Sequence, residues 1–317
     1  MTRAAAVREV VDGVLLLDKP RGLTSQQAVA RAKWLLNARK AGHTGTLDPM
    51  ADGLLPIGFG EATKFSQFLL DADKCYLATL RLGMTTTTGD AEGEITGESP
   101  VGVTRVQIDG VVQGFTGPQQ QLPPMHAAIK VDGKPLYAYA RAGVTVAREV
   151  RSIIINSIQV IDYKDNFLAI RVSCSKGTYI RVLAEDIGRI LGCGAHLTAL
   201  TREGAGNLNL DQAVSLRELE AMSLPQRLAK MLPVDTFAAG LPRLDVAADL
   251  ERRLLMGQQA DLGQSGPPGL HRLYGAGGDF FGVGELTAGT LLARRLLARA
   301  AAAVSGPNSL SNPVVTE

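Results

Sequence analysis

The hydrophobic and polar positions of the chain follow two different periods. Short apolar runs built from strand-forming residues predict β-strands at residues 14–17, 76–82, 152–162 and 167–174. Apolar side chains recur instead at helical spacing over residues 25–38 and 180–190, and Gly192 follows the second of these segments. Strands and helices mixed in this way predict an α/β (α+β) domain with one extended sheet.

Composition divides the chain further. With 317 residues, 45% of them hydrophobic and 20% charged, the sequence is that of a globular protein with one large and one smaller domain. A Pro- and Gln-rich stretch at 117–124 precedes a predicted insertion at about 124–152, and a second shift near 232–242 opens a Gly-rich region. We therefore predict domains at 1–235 and 240–299, the second a small β domain, followed by an Ala-rich disordered tail at 300–317.

Charge and cysteine content narrow the classes of function. The net charge of +2 is too small to indicate a nucleic-acid partner by itself, so any basic surface must be local. Three widely spaced cysteines favour reduced thiols, and four histidines lack zinc-ligand spacing, so we expect no metal. We find no segment typical of a signal peptide or a membrane span, and we expect a cytoplasmic protein with no membrane contact.

The segment from Gly42 to Gly53 is the strongest candidate for chemistry. Its three glycines allow tight turns and close approach to a ligand, and Asp48 is held among small residues with Pro49 behind it. A loop of this kind presents a single carboxylate. On composition alone it fits an ordinary turn at least as well as the loop of a nucleophile.

Three other groups carry reactive or RNA-binding residue types. Tyr76 opens a predicted strand, and Lys176 and Arg181 lie between a strand and a helix start, where an anion would be favoured. Aromatic and basic residues also interleave over 134–141, as in surfaces that stack on bases and hold phosphates. Each group also has a structural interpretation without function. Tyr76 could be a core tyrosine, Arg181 a surface arginine, and segment 134–141 an ordinary amphipathic helix.

In combination these segments resemble the TruB family of tRNA pseudouridine synthases. The resemblance runs over roughly 10–210 and rests on the segments 13–19, 42–53, 60–64, 173–181 and 192–197. The C-terminal part is similar, more weakly, to the small PUA-type RNA-binding domain of bacterial members. The resemblance implies a catalytic domain with an extended mixed, mainly antiparallel sheet and a PUA-like β domain.

The same resemblance implies a reaction. Uridine 55 in the T arm of tRNA would be flipped out and isomerised to pseudouridine: the N1–C1′ bond breaks, the base turns, and a C5–C1′ bond forms. No group is imported and there is no net redox change, so no cofactor is expected. The implied partner is tRNA, with no obligatory protein partner and a monomeric enzyme.

The resemblance also assigns site residues. Asp48 becomes the catalytic carboxylate, Arg181 its ion-pair partner, and Tyr76 a residue that packs on the base and takes part in proton abstraction. His43 would help to hold the RNA open. The implied substrate-binding residues are His43, Tyr76, Tyr179, Leu200, Lys64, Lys176 and Arg141.

The sequence departs from the family pattern at one position of the insertion, and other functions are also compatible with parts of the chain. His126 stands where the family usually has a tyrosine, which leaves the RNA contacts of the insertion open. A non-catalytic RNA-binding or tRNA-folding protein would use the same surface. The glycine-rich loop lacks the Gly-Lys-Ser/Thr ending of a P-loop, which argues against a phosphate-transfer enzyme. A guide-RNA-dependent relative would be expected to carry basic extensions.

Overall fold

The computed structural model describes residues 8–127, 129–263 and 266–298. The predicted disordered tail at 300–317 lies outside these ranges.

Within them, residues 8–238 contain fourteen strands and seven α-helices. The strands are β1 (Gly13–Lys19), β2 (Ala41–His43), β3 (Asp52–Phe59), β4 (Lys74–Leu82), β5 (Met84–Thr86), β6 (Ile95–Glu98), β7 (Gly117–Gln121), β8 (Lys130–Val131), β9 (Lys134–Pro135), β10 (Arg151–Lys164), β11 (Phe167–Cys174), β12 (Ala195–Ala205), β13 (Leu208–Asn209) and β14 (Val214–Ser215). The helices are α1 (Ser25–Leu35), α2 (Ser66–Leu70), α3 (Arg105–Gln113), α4 (Leu136–Arg141), α5 (Ile180–Ile190), α6 (Leu216–Ala221) and α7 (Leu224–Leu228).

One ten-stranded sheet organises this region. Its strands follow the order β14-β1-β3-β12-β4-β11-β10-β7, with β13 beside β12 and β2 beside β3. Among the strand pairs of this sheet in the described residues, β1–β14 and β3–β12 are parallel and the others are antiparallel. The predicted mixed, mainly antiparallel sheet is therefore confirmed.

The apolar run at the start of β1 is explained by its burial on both faces. Leu15 and Leu17 point into the main core, whereas Val14 and Leu16 point to the opposite face, where a second apolar cluster lies. Successive side chains of a strand alternate between faces, so a strand covered on both sides is hydrophobic throughout. Strand β1 is therefore buried between the two apolar clusters.

The two longest helices, α1 and α5, each have a recognisable sequence signal at one end. The Thr24 side chain accepts a hydrogen bond from the Gln27 backbone and Gln27 reaches back, which completes a capping box at the start of α1. The prediction of a helix to residue 38 was too long, because the chain turns at Asn37, whose φ is +52°. Helix α5 was predicted with its observed end, and Gly192 follows it at a φ of +79°.

The C-terminal region forms a separate five-stranded sheet and one helix. Its elements are β15 (Arg243–Asp245), α8 (Ala248–Leu255), β16 (Ala260–Asp261), β17 (Gly269–Tyr274), β18 (Phe280–Thr287) and β19 (Thr290–Leu296). This is the predicted small β domain, and its exact limits stay a prediction. Val283 and Leu297 join the second apolar cluster with Val14 and Leu16, so the two sheets share a core. In the part of the chain that the structure describes, no helix is long and apolar enough to cross a membrane.

Candidate active site

Asp48 lies in the loop between β2 and β3, and that loop is fastened to the start of α1. The Ser25 hydroxyl donates to the Leu47 carbonyl at 3.0 Å and accepts from the Leu47 amide at 2.8 Å. The Ala51 amide donates to the Asp48 carbonyl at 3.1 Å, which closes a tight turn. The carboxylate therefore stands on a fixed backbone, as a nucleophile or a base requires.

Arg181 holds the Asp48 carboxylate from the first turn of α5. Its Nη2 lies 3.0 Å from Asp48 Oδ2, and its Nη1 lies 3.5 Å from Asp90 Oδ2. The Asp48 side chain is 39% exposed, whereas those of Asp90 and Arg181 are 4% and 6% exposed. One carboxylate is thus open to a ligand and the other is buried as a fixed counter-charge.

Backbone carbonyls complete the arginine's contacts. Arg181 donates to the Thr88 carbonyl at 3.4 Å and to the His126 carbonyl at 3.0 Å. The second contact joins the predicted insertion to the site. Because it uses the backbone of His126, the replacement of a tyrosine by histidine at this position leaves the contact unchanged.

Two cavities meet at Asp48, with volumes of about 470 and 480 Å³. Both are within the usual size of small-ligand sites. The first cavity is lined by Thr24, Ser25, Gln26, His43, Thr46, Leu47, Asp48, Pro49, Thr88, Asp90, Glu92, His126, Tyr137, Arg141 and Arg181. The second is lined by residues that include Gly45, Asp48, Lys74, Tyr76, Ile129, Arg151, Lys176, Tyr179, Arg181, Leu200 and Arg202.

The second cavity has an aromatic and apolar wall. Tyr76 on β4, Tyr179 before α5 and Leu200 on β12 all line it, together with Asp48. Burial raises the pKa of the Tyr76 phenol, and the Arg202 guanidinium opposes that rise. Such a wall provides flat faces on which a planar base can stack.

Basic residues border both cavities. Lys176 lines the second cavity and forms an exposed ion pair with Asp71 at 2.8 Å. Arg141 lines the first cavity, with its guanidinium 5.5 Å from the centre of the Tyr137 ring. These cations are placed where a nucleic-acid backbone could approach Asp48.

His43 lines the first cavity from β2. Burial and the nearby Arg202 charge lower its pKa, which favours the neutral imidazole. Its Nδ1 is buried, and no described residue offers it a hydrogen bond of good geometry, although the Gly45 backbone lies near the ring and opposes the fall in pKa. An unpaired buried nitrogen is costly, and a bound ligand could satisfy it.

Lys64 is the predicted site residue that the structure does not bring to Asp48. Its ammonium pairs with Glu61 at 2.8 Å and donates to the Leu296 carbonyl at 3.1 Å. It lies at the junction with the C-terminal sheet and lines neither cavity at Asp48. The resemblance placed Lys64 in the segment that follows the Asp48 loop, but β3 separates that segment from the loop.

The structure adds four buried charged residues that sequence reasoning did not assign: Asp90, Lys19, Lys74 and Arg202. Burial lowers the pKa of Lys19 to about 8, and the same cause lowers that of Lys74 to about 8. Lys19 donates to the carbonyls of Pro20 and Leu23 at 2.9 and 2.6 Å. The signal for Lys19 was its place between an apolar strand and a proline turn, where a charged residue has little access to water.

The described residues contain no cluster of three or more His, Cys, Asp or Glu side chains able to hold a metal ion. The cysteines at 75, 174 and 193 are free thiols. The functional groups that line the two cavities at Asp48 include carboxylates, tyrosine phenols, imidazoles and several cations.

Comparison with known sequences identifies the family. Residues 33–180 match the model of the TruB family pseudouridylate synthase N-terminal domain. Residues 181–237 match that of the tRNA pseudouridylate synthase B C-terminal domain, and residues 242–297 match that of the pseudouridine synthase II TruB C-terminal region. The tRNA pseudouridine synthase B of Aromatoleum aromaticum is 52% identical over 297 residues, which cover 93% of this chain and 96% of that protein. The chain belongs to the TruB family of pseudouridine synthases.

Other TruB sequences and solved structures agree. The tRNA pseudouridine synthase B of Azoarcus sp. is 52% identical over 92% of this chain and 96% of its own length. A chain in the crystal structure of a Cbf5-Nop10-Gar1 complex superposes with a TM-score of 0.67 at 27% identity, covering 88% of this chain and 79% of that one. A chain of an archaeal box H/ACA sRNP Nop10-Cbf5 complex, at 22% identity and a TM-score of 0.67, shares the fold.

Proposed function

We propose that this enzyme converts uridine 55 in the T arm of tRNA to pseudouridine. The observation that carries the proposal is the exposed Asp48 carboxylate, paired to buried Arg181 at 3.0 Å and facing a cavity with an aromatic wall. Relatives that align over nearly the whole chain are named tRNA pseudouridine synthase B. Their names support tRNA as the substrate.

Asp48 acts on the flipped-out nucleotide as the catalytic carboxylate. Arg181 keeps it ionised and oriented, since an adjacent cation favours the charged form of a carboxylate. The target base stacks on Tyr76 and Tyr179 and against Leu200. Extruding a base costs a few kcal/mol, and aromatic contacts of about 1–3 kcal/mol per base offset it.

The remaining predicted residues hold the RNA around this centre. His43 borders the space beside Asp48, and Lys176 and Arg141 offer charge to phosphates at the two cavities. Lys64 would contact RNA only at the junction between the two sheets. We place the enzyme in the cytoplasm, where its tRNA substrate is found. It works as a monomer without a protein partner because one chain supplies all of these groups, and without a cofactor because the isomerisation imports no group.

Tritium release tests the reaction. A tRNA transcript labelled at C5 of uridine loses its label when C5 bonds to C1′, so wild-type enzyme should release one equivalent of tritium. Asp48→Asn should release none while binding the transcript as wild type does, and a transcript with cytidine at position 55 should release none with either enzyme. A folded wild-type protein that binds tRNA without releasing tritium would instead be a non-catalytic RNA-binding or tRNA-folding protein.

A further inference from the structure

Arg202 is a buried arginine on β12, and no carboxylate among the described residues pairs with it. The residue is 1% exposed and is among the largest fully buried side chains in the described ranges. The interactions that affect its pKa are burial, which lowers it, and the Tyr76 phenol, which raises it, with no acidic side chain among them. A buried charge persists only where hydrogen bonds replace its lost water, so the positions of its acceptors are informative.

The guanidinium holds the Asp48 loop at both ends. Its Nε donates to the Leu54 carbonyl at 2.7 Å, and its Nη2 donates to the Gly45 carbonyl at 3.2 Å. Gly45 precedes Asp48 by three residues and Leu54 follows it in β3. A Cβ on Gly45 would lie 3.2 Å from Arg202 Nη1, so the loop is packed directly onto the guanidinium.

The same guanidinium reaches the Tyr76 phenol. Arg202 and Tyr76 are cross-strand partners where β12 pairs with β4, so their side chains project from the same face of the sheet. The guanidinium opposes the rise in the pKa of the Tyr76 phenol, the phenol in turn raises the pKa of Arg202, and both residues line the second cavity. One side chain therefore contacts the loop before Asp48, the strand after it and the aromatic residue opposite.

We propose that Arg202 is a positioning residue that sets the Tyr76 phenol relative to Asp48. The inference rests on the proposed function and deepens it. A planar guanidinium presents several donors at fixed angles, whereas a lysine ammonium is a point charge on a flexible stem. Arg202 thus joins the nucleophile's loop and the base-stacking tyrosine into one rigid unit, and its effect on the reaction passes through those two residues.

Arg202→Lys is the test, because it keeps the charge and removes the planar donors. We expect the single-turnover rate of tritium release, at saturating enzyme, to fall about 10- to 100-fold, as a misplacement near 1 Å can cause. The affinity for tRNA should change less than about threefold, because the proposed role of Arg202 is to position Tyr76 and Asp48 for the reaction and not to bind tRNA. A rate within about twofold of wild type, or a rate loss matched by an equal loss of affinity, would overturn the proposal.

Arg272→Lys is the matched control. Arg272 Nε donates to the Leu241 carbonyl at 3.0 Å and its Nη1 lies 3.2 Å from the Tyr274 hydroxyl, so in the C-terminal sheet it too lies beside a carbonyl and a tyrosine. It differs from Arg202 in also pairing with Asp235 at 3.3 Å. We expect an unchanged rate of tritium release from this variant. An equal slowing in both variants would show a general cost of the Arg-to-Lys change and would count against Arg202.

NMR of tyrosine labelled with ¹³C at Cζ separates this inference from the proposed function. The Tyr76 resonance is identified by its absence in Tyr76→Phe, and Arg202→Lys should shift it while leaving the Tyr274 resonance in place. This readout needs no turnover, so it stands even if wild type releases no tritium. If Arg202→Lys does not fold, Arg202→Gln carries the same measurements, and failure of both variants to fold would make Arg202 a folding residue and refute the positioning role.

Discussion

The two arginines beside Asp48 differ in what they pair with. Arg181 contacts two carboxylates, Asp48 and Asp90, at 3.0 and 3.5 Å, whereas Arg202 contacts backbone carbonyls and the Tyr76 phenol. In the roles proposed above, the first arginine acts on the charge of the Asp48 carboxylate, and the second acts on the geometry around it. The comparison shows that the same side chain type meets different acceptors according to where the fold places it.

Arg181→Met should have the largest effect on turnover. Removing a fixed donor beside a reacting group costs about 10²–10³ in rate, and the single-turnover tritium assay measures it. The variant should also lose about 3–5 kcal/mol of stability in urea unfolding, because Asp90 stays buried without its partner.

The double variant Arg181→Met, Asp90→Asn sharpens this result. Removing the buried charge should restore much of the stability without restoring turnover. Recovery of both together would assign Arg181 a structural role only. Arg105→Met, which breaks an exposed helical ion pair with Asp109, is the control and should change neither quantity much.

Gly53→Ala should be next in size, with a loss of about 3 kcal/mol in the free energy of unfolding. Its φ is +94°, and a Cβ would lie 2.5 Å from the Arg202 carbonyl oxygen, so both strain and overlap oppose a side chain. Gly22→Ala shares the positive φ of +86° with nothing within 4 Å of the added carbon. Urea unfolding should therefore show a clearly smaller loss, about 1 kcal/mol, for Gly22→Ala.

Asp90→Asn should slow single-turnover tritium release about tenfold, equivalent to about 1.4 kcal/mol. Arg181 then keeps Asp48 as its only ionised partner among the described residues, and its orientation is less fixed. Asp109→Asn removes an exposed carboxylate of α3 and should leave the rate unchanged. If Asp90→Asn were as fast as wild type, Asp90 would have no part in orienting Arg181 for the reaction, and only the Arg181–Asp48 ion pair would matter.

His43 should give the smallest effect, a pH-dependent term in stability. Its pKa in the folded state is below the ordinary value of 6.5, so below that pH the unfolded chain binds a proton that the folded chain does not. The stability contributed by the neutral imidazole is present above pH 6.5 and is lost as pH falls toward the lowered pKa. Urea unfolding of wild type and His43→Gln between pH 7.5 and 5.5 should show wild type losing more; parallel curves would contradict the shift.

The spacing of apolar residues predicted strands and helices well where one face of the element is buried at regular intervals. The strands at 76–82 and 167–174 and the helix at 180–190 were found within two residues of their observed limits, because apolar spacing records which face is covered. The end of α1 was missed by three residues, since Asn37 adopts a left-handed conformation that apolar spacing does not report. Lys64 was grouped with the site although its contacts lie at the C-terminal sheet.

The sequence by itself determined four strands, two helices, the TruB resemblance and the Asp48 loop, since each rests on short segments of the chain. Tertiary structure alone decided which distant charges meet there. The sheet places β12 between β3 and β4, which brings Arg202 to Gly45 and beside Tyr76. Helix α5 packs against β12, which brings Arg181 to Asp48 and Asp90. Strand order and register determine which acceptors lie beside a buried arginine. Both depend on contacts between segments far apart in the chain, so the local spacing of residues does not predict them.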